Sequence, residues 1–233
     1  MPRRRVIAAH YTRCVTETVE SGRRGRFITI EGPEGSGKTT QVELLAARLR
    51  AAGRDVTVTR EPGGTRLGEQ LRSILLARHE GVEPTDPLTD ALLFEAARRQ
   101  LVRHVVRPAL ERGVTVVCAR YTDSTFAYQG FGAGVPLGTL RALDAAATDG
   151  LVPDMTILLD LPVETGLARK APDDVTRFEA EHDIQFHRRV RDGFRRLAAE
   201  SPDRFVVIDA TRGIDEVAGA IAAAAERLFE RPI

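Results

Sequence analysis

The chain has 233 residues, 42% hydrophobic and 29% charged, enough to bury one sizeable core and fold in water. Its formal charge of +1 gives no electrostatic reason to expect a nucleic-acid or membrane partner. No apolar run approaches the roughly 18 residues of a membrane span, and Cys14 and Cys118 form neither a metal-spaced pair nor a disulfide framework, which points to a reducing cytoplasm.

Residues 1–25 differ in texture from the rest. MPRRR is basic, the following stretch is broken by His10, Arg13 and Glu17 and makes no signal-peptide core, and ESGRRGR reads as a linker. A flexible extension at 1–25 is expected before a domain at 26–233. Within that domain, strands are predicted at 26–32, 55–61, 114–120, 155–161 and 204–210. Helices are predicted at 38–52, 65–78, 87–112, 137–148, 164–170, 180–200 and 213–230. Strands alternating with helices predict an α/β fold whose parallel sheet is covered on both faces. Ligands of such sheets gather beyond the carboxyl ends of the strands. The polar clusters fall there, after positions 31, 59, 118, 159 and 208.

The first cluster is Gly32-Pro33-Glu34-Gly35-Ser36-Gly37-Lys38-Thr39, followed by Thr40, a full match to G-x-x-x-x-G-K-[ST] between a strand and a helix. Glycines let backbone N–H groups turn in around phosphate oxygens, and the helix N-terminus adds partial positive charge. Lys38 can reach the β- and γ-phosphates, and Thr39 can offer its hydroxyl to Mg²⁺. The motif predicts nucleoside triphosphate binding and leaves the fate of the phosphate open.

A kinase needs a second pocket. After the second strand, Glu61-Pro62-Gly63-Gly64 makes a tight turn, with Arg60, Arg66 and Arg72 around it. Phe94 and Arg98 stand at i and i+4 on one helix face, where a ring can stack a base and a guanidinium can bond its edge. ARYTDSTFAYQG then supplies Arg120, Ser124, Thr125, Tyr128 and Gln129, read as a polar loop. The five histidines make no metal-ligand cluster, so Mg²⁺ is expected on Thr39, the ATP phosphates and water.

The ordered set IEGPEGSGKTTQ, TREPGGT with LRSILL, LLFEAARRQL, RYTDSTFAYQG, PDMTILLDLP and IDAT resembles the thymidylate kinase family over about residues 26–230. The resemblance implies a three-layer P-loop NTPase fold, with helices on both faces of a five-stranded parallel sheet. It implies transfer of the γ-phosphate of ATP to thymidine monophosphate, usually in a homodimer. By the same resemblance Glu34 meets the acceptor's 3′-hydroxyl, Phe94 stacks on thymine and Arg98 bonds its edge. Arg72 and Arg120 hold the acceptor phosphate, Glu61, Thr125 and Gln129 line its site, and Arg169 belongs to a lid at about 166–180.

Two departures stand out. Family members carry Asp before the arginine where this chain has Ala119, so either the chain is a weakly active or inactive nucleotide-binding homologue, or another acid such as Glu34, Asp123 or Asp160 compensates, or the position has been altered; a kinase for another monophosphate is the separate alternative. An Asp restored at 119 is expected to raise turnover. Some members also carry an arginine in the phosphate loop where this chain has Gly35, which leaves Arg169, Lys170 and Arg177 as the cations of a lean lid.

Overall fold

The structure, a computed structural model, describes residues 24–76, 85–170 and 176–230. Residues 1–23 of the extension predicted at 1–25, the last residues of the second predicted helix at 77–78 and the middle of the predicted lid at 171–175 lie outside the described residues. The five strands are β1 (Phe27–Glu31), β2 (Val56–Arg60), β3 (Thr115–Ala119), β4 (Met155–Asp160) and β5 (Phe205–Asp209). Each falls inside its predicted run. They pair in parallel throughout, in the order β2-β3-β1-β4-β5. The helices are α1 (Lys38–Ala51), α2 (Arg66–Leu76), α3 (Pro87–Leu101), α4 (Arg107–Glu111), α5 (Thr122–Thr125), α6 (Leu137–Thr148), α7 (Val163–Ala168), α8 (Arg177–Glu181), α9 (Ile184–Glu200) and α10 (Ile214–Glu230).

β1 is the central strand of the sheet, and every residue in it is buried. The two-residue period of a strand sends Ile28 and Ile30 to one face, against Val42 and Leu45 of α1 and Ile221 of α10. Phe27 goes to the other face, against Leu101 and Val106 at the end of α3 and beyond it. Each fully buried side chain of this size is worth roughly 1.5–3 kcal/mol. The same period puts Thr29 and Glu31 on the Phe27 side. Thr29 Oγ1 shares a hydrogen bond of 2.9 Å with Thr156 Oγ1 of β4, and Glu31 reaches toward the segment after β3.

Besides the helix predicted at 180–200, which the structure divides between the end of α8 and α9 with Asp183 capping the latter, two local expectations change. The single helix predicted at 87–112 is α3, a π-helical turn at Val102–Val106, and α4. Pro108 accounts for the break, since it has no N–H for the ladder and its ring crowds the carbonyl one turn back. The second change matters more for the site. The stretch read as a polar loop is helical from Thr122 through a π-helical turn at Phe126–Gly132. It packs on α9, whose Phe186, Val190 and Phe194 share a buried cluster with Ala127 and Tyr128.

Candidate active site

Glu31 ends β1, and the chain turns through Gly32–Gly37 into α1. Gly37 caps α1 in the left-handed region (φ 86°) with no side-chain acceptor, so the first turn presents backbone N–H groups with no side chain across them. Lys38 folds back over the loop, donating from Nζ to Gly32 O at 3.0 Å, Pro33 O at 2.7 Å and Ser36 Oγ at 3.2 Å. Burial and the nearby Arg120 pull its ammonium down to about 7, against the pull of Glu34 and Glu31. A phosphate arriving there would restore its charge.

Glu34 points from the loop across the cleft. Its Oε1 accepts from Arg120 Nη2 at 2.7 Å and from the Tyr128 hydroxyl at 2.8 Å, and Lys170 Nζ lies 3.7 Å from its Oε2. Burial alone would raise this carboxyl, but Arg120, Lys38 and Lys170 outweigh it and hold Glu34 well below the usual carboxylate range. Arg120 itself is a non-glycine residue at φ 66°, and it also donates to Gly32 O and to Ser124 Oγ. That strained turn after β3 is pinned by Glu31, whose two oxygens accept from Tyr121 N and Ser124 Oγ, each at 2.6 Å. Burial, with Asp123 nearby, pushes the Glu31 carboxyl up to about 7.

The acceptor-side residues converge on the same cleft. Arg98, 1% exposed, donates from Nε to Glu61 at 2.8 Å, from Nη1 to Glu95, and from Nη2 to Tyr121 O at 3.1 Å and Thr125 Oγ1 at 3.0 Å. Arg72 donates to Pro62 O at 2.9 Å, after a cis Glu61-Pro62 bond. Phe94 is half-buried, with its ring centroid 6.0 Å from that of Phe178. A single cavity of about 850 Å³ is lined at one end by Lys38, Thr39, Thr40 and Arg169, and at the other by Arg72, Phe94, Arg98, Thr125 and Gln129, with Glu34 and Arg120 between. Arg66 is exposed at the start of α2 and does not line it. Arg169 donates to Ala210 O at 2.9 Å, next to the loop after β5.

Sequence reasoning gave no role to Glu31, and it left Ser124 and Tyr128 as loop polarity. The signal for the latter was present. Arg120, Ser124 and Tyr128 stand four apart, as do Thr125 and Gln129, which is one helix turn each. Glycines at 130 and 132 and the polar composition concealed it. Ala119 lines the cleft at the end of β3. Of the candidate substitutes for an acid there, Asp123 is taken by Arg204 at 2.7 Å and Asp160 by Arg191 at 2.7 Å, while Glu34 and Glu31 face Arg120 and its turn.

The family model for thymidylate kinase matches residues 30–221. The chain belongs to the thymidylate kinase family. It is 54% identical over 205 residues to the thymidylate kinase of Deinococcus radiodurans, covering 88% of this chain and 98% of that one. It is also 54% identical over 207 residues to the thymidylate kinase of Thermomicrobium roseum, covering 88% and 96%. The crystal structure of thymidylate kinase from Ehrlichia chaffeensis superposes with a TM-score of 0.71 at 34% identity, over 87% of this chain and 99% of that chain. The sheet is thus that of a P-loop NTPase, and the chain is an ATP-dependent phosphotransferase acting on thymidine monophosphate. The weakly active alternative raised by Ala119 gains no support from this set, nor does another acceptor.

Proposed function

We propose that thymidylate kinase chemistry runs through the one continuous cleft, with ATP on the Gly32–Thr40 loop and thymidine monophosphate among Glu61, Arg72, Phe94, Arg98, Arg120, Thr125 and Gln129. The observation that carries this reading is the cavity itself, which joins the loop to the acceptor-side residues with no wall between them. An oxygen of the acceptor phosphate attacks the γ-phosphorus, a P–O bond forms, and the bond to the β-phosphate oxygen breaks to release ADP. Two anions must meet, so the work is positioning and charge neutralisation. Lys38 leaves the loop carbonyls for the β- and γ-phosphates, and Arg120 with Arg72 holds the acceptor phosphate. Glu34, relieved of Arg120, is free to accept from the acceptor's sugar hydroxyl. Arg169 braces the donor end of the cleft through Ala210.

Mg²⁺ fits this site through Thr39 at the start of α1, together with phosphate oxygens and water. Among the described residues no group of three or more His, Cys, Asp or Glu side chains is placed to hold a metal ion, so a protein-only cage is not offered. When bound, the ion would supply charge to the bridging phosphate oxygens.

The base would meet a rigid reader. Arg98 is fixed by Glu61, Glu95 and Thr125, and its side chain cannot reorganise for a wrong base edge without breaking buried pairs. A wrong base edge that leaves any buried polar group of this site unpaired costs about 1–3 kcal/mol. ADP release measured across a panel of monophosphates tests the assignment. Thymidine monophosphate should be turned over at least about tenfold better than cytidine or adenosine monophosphate; equal kcat/KM for all would refute the pocket.

A homodimer and a cytoplasmic location complete the reading. Leu67 and Ile74 of α2 and Leu88 and Leu92 of α3 are each 40–49% exposed on adjacent helices, which supports an apolar contact face there. No helix of the described residues is long and apolar enough to cross a membrane. The domain is taken as 26–233, with 1–25 as an extension.

A further inference from the structure

Gln41 stands in the first turn of α1, directly after the two threonines that close the phosphate loop. Thr39 and Thr40 are exposed, whereas Gln41 is 3% exposed. Its Nε2 donates to Ile214 O at 3.0 Å, across 173 positions of the chain. Its Oε1 is buried with no hydrogen-bond partner among the described residues. The buried positions that follow on the same helix, Val42, Leu45 and Leu49, are apolar and share a core cluster with Val217 and Ile221 of α10. A buried amide with half of its capacity unused costs stability that an apolar side chain at 41 would not. What the amide gains in return is the bond to Ile214.

Ile214 begins α10, and its carbonyl closes the loop that follows β5. That loop lines the donor end of the cavity through Ala210, Arg212, Gly213 and Ile214, with Val217 one turn on. Its root is fixed to the sheet, where Ala210 N donates to Asp160 O at 2.8 Å and Ala210 O accepts from Arg169. Within the loop, Thr211 N and Oγ1 donate to Asp209 Oδ1, and Gly213 N donates to Glu216 Oε2 at 3.1 Å. At the far end, the bond that joins the loop to the phosphate-loop helix is the one from Gln41. Ile214 itself is 62% exposed on the cavity, an apolar surface suited to the flat face of a base.

We propose that Gln41 is a positioning residue for the donor nucleoside: it ties the loop at 210–214 to the first turn of α1, so that the surface meeting the donor's base and sugar keeps a fixed distance from the residues meeting its phosphates. The inference rests on the phosphoryl-transfer reading above, which puts the triphosphate on Gly32–Thr40 and does not say what orders the nucleoside. Gln41 touches no reacting atom. Its amide is neutral, no bond forms or breaks at it, and its effect passes through Ile214. The nucleoside lies away from the bonds that change, so that effect is the same on bound ATP and on the transition state. Its loss therefore raises KM for ATP and spares kcat.

The test uses the full chain and three variants, Gln41→Met, Gln41→Leu and Ile214→Ala, assayed by ADP release with saturating Mg²⁺. Inorganic tripolyphosphate serves as a competitor of ATP that lacks the nucleoside. Methionine matches glutamine in length and has no N–H to donate. Parent turnover with ATP and thymidine monophosphate checks the underlying reading, and its absence overturns that reading together with the inference. Given an active parent, all three variants should raise KM for ATP about tenfold, because the nucleoside wall must then be ordered by the substrate itself. Their kcat, their KM for thymidine monophosphate and their inhibition by tripolyphosphate should each stay within about threefold of the parent. The melting temperature of the two Gln41 variants should equal or exceed the parent's, since an apolar side chain replaces a half-satisfied buried amide. A tie that serves the fold alone would do the reverse, lowering the melting temperature and leaving KM where it was. A KM for ATP within about threefold of the parent in both Gln41 variants or in Ile214→Ala overturns the assignment. So does an equal loss of affinity for tripolyphosphate and ATP, or failure of both Gln41 variants to fold. Each of these outcomes leaves the phosphoryl-transfer reading standing.

Discussion

Lys38 is held by three loop acceptors before any substrate arrives, and its ammonium is pulled down to about 7 by burial and Arg120. The loop thus stores a donor that phosphate must reclaim. Lys38→Ala should lower kcat by roughly 10²–10³, about 3–4 kcal/mol, with the fold intact by circular dichroism, because the residue sits at a helix start and carries no core packing. Turnover within a few-fold of the parent would remove the loop from the mechanism. Ala119 is the other residue-scale question. From the sequence, an acid there looked needed to order Arg120. In the structure the turn is already pinned by Glu31 through Tyr121 N and Ser124 Oγ, and the guanidinium by Ser124, Gly32 O and Glu34. Ala119→Asp is therefore expected to change kcat by less than about threefold. A tenfold rise at saturating substrates would mean that Glu31 and Ser124 do not stand in for the missing acid.

At the scale of elements, the acceptor end depends on how α3, the Glu61-Pro62 turn and α5 meet. They meet on one buried guanidinium, Arg98, with Glu61, Glu95 and Asp144 around it. Three carboxyls cannot all stay ionised beside one cation in a dry site. Burial pushes Glu61 up to about 8 and Asp144 up to about 7, both against the opposing pull of Arg98. The consequence for stability has a definite sign. The folded chain keeps a proton on Glu61 that the unfolded chain gives up near 4.5, so this group's contribution is full below that pH and is lost as pH rises toward about 8. Melting temperature compared at pH 5 and pH 8 should fall about 3–6 °C further in the parent than in Glu61→Gln, which has no proton to lose. Parallel pH dependences in the two proteins would show that Glu61 is ionised throughout. The helix-on-helix arrangement behind this cluster was only half legible. Asp86 and Pro87 mark the start of α3, and Asp86 does accept from Leu88 N and Thr89 N. The helical form of 122–132 was hidden, because its propensity is poor and packing against Phe186, Val190 and Phe194 of α9 is what stabilises it.

For the whole molecule, the exposed leucines and isoleucine of α2 and α3 make the assembly a matter of surface chemistry. If these helices pair with a second copy, a charge placed on that face should separate the copies. Leu92→Arg is expected to move the chain from dimer to monomer by sedimentation at micromolar concentration, with at most a modest loss of folded stability, since Leu92 is 48% exposed. A parent that is already monomeric under those conditions would dispose of the dimer proposal. Leu67, Ile74, Leu88 and Leu92 do not line the cleft, so assembly and catalysis can be scored separately.

The sequence by itself determined the sheet, the number and place of its strands and the phosphate loop. These depend on short-range facts: apolar runs of strand length, helical periods between them, and glycines spaced so that the backbone can wrap an anion. It also determined the family, because six ordered motifs constrain far more than any one of them. What only the tertiary structure decided is which distant residues meet. Glu31 and Ser124 are 93 positions apart, Glu34 and Tyr128 are 94, and Arg98 and Glu61 are 37. No local pattern marks such pairs, since each partner has an unremarkable neighbourhood in the chain. The fate of Gly35 is of the same kind: a small residue in a glycine-rich loop looks like freedom from the sequence, and it is in fact the absence of room beside Gly166. Parallel strands brought into one sheet put their carboxyl ends side by side, and that juxtaposition, invisible along the chain, makes the cleft.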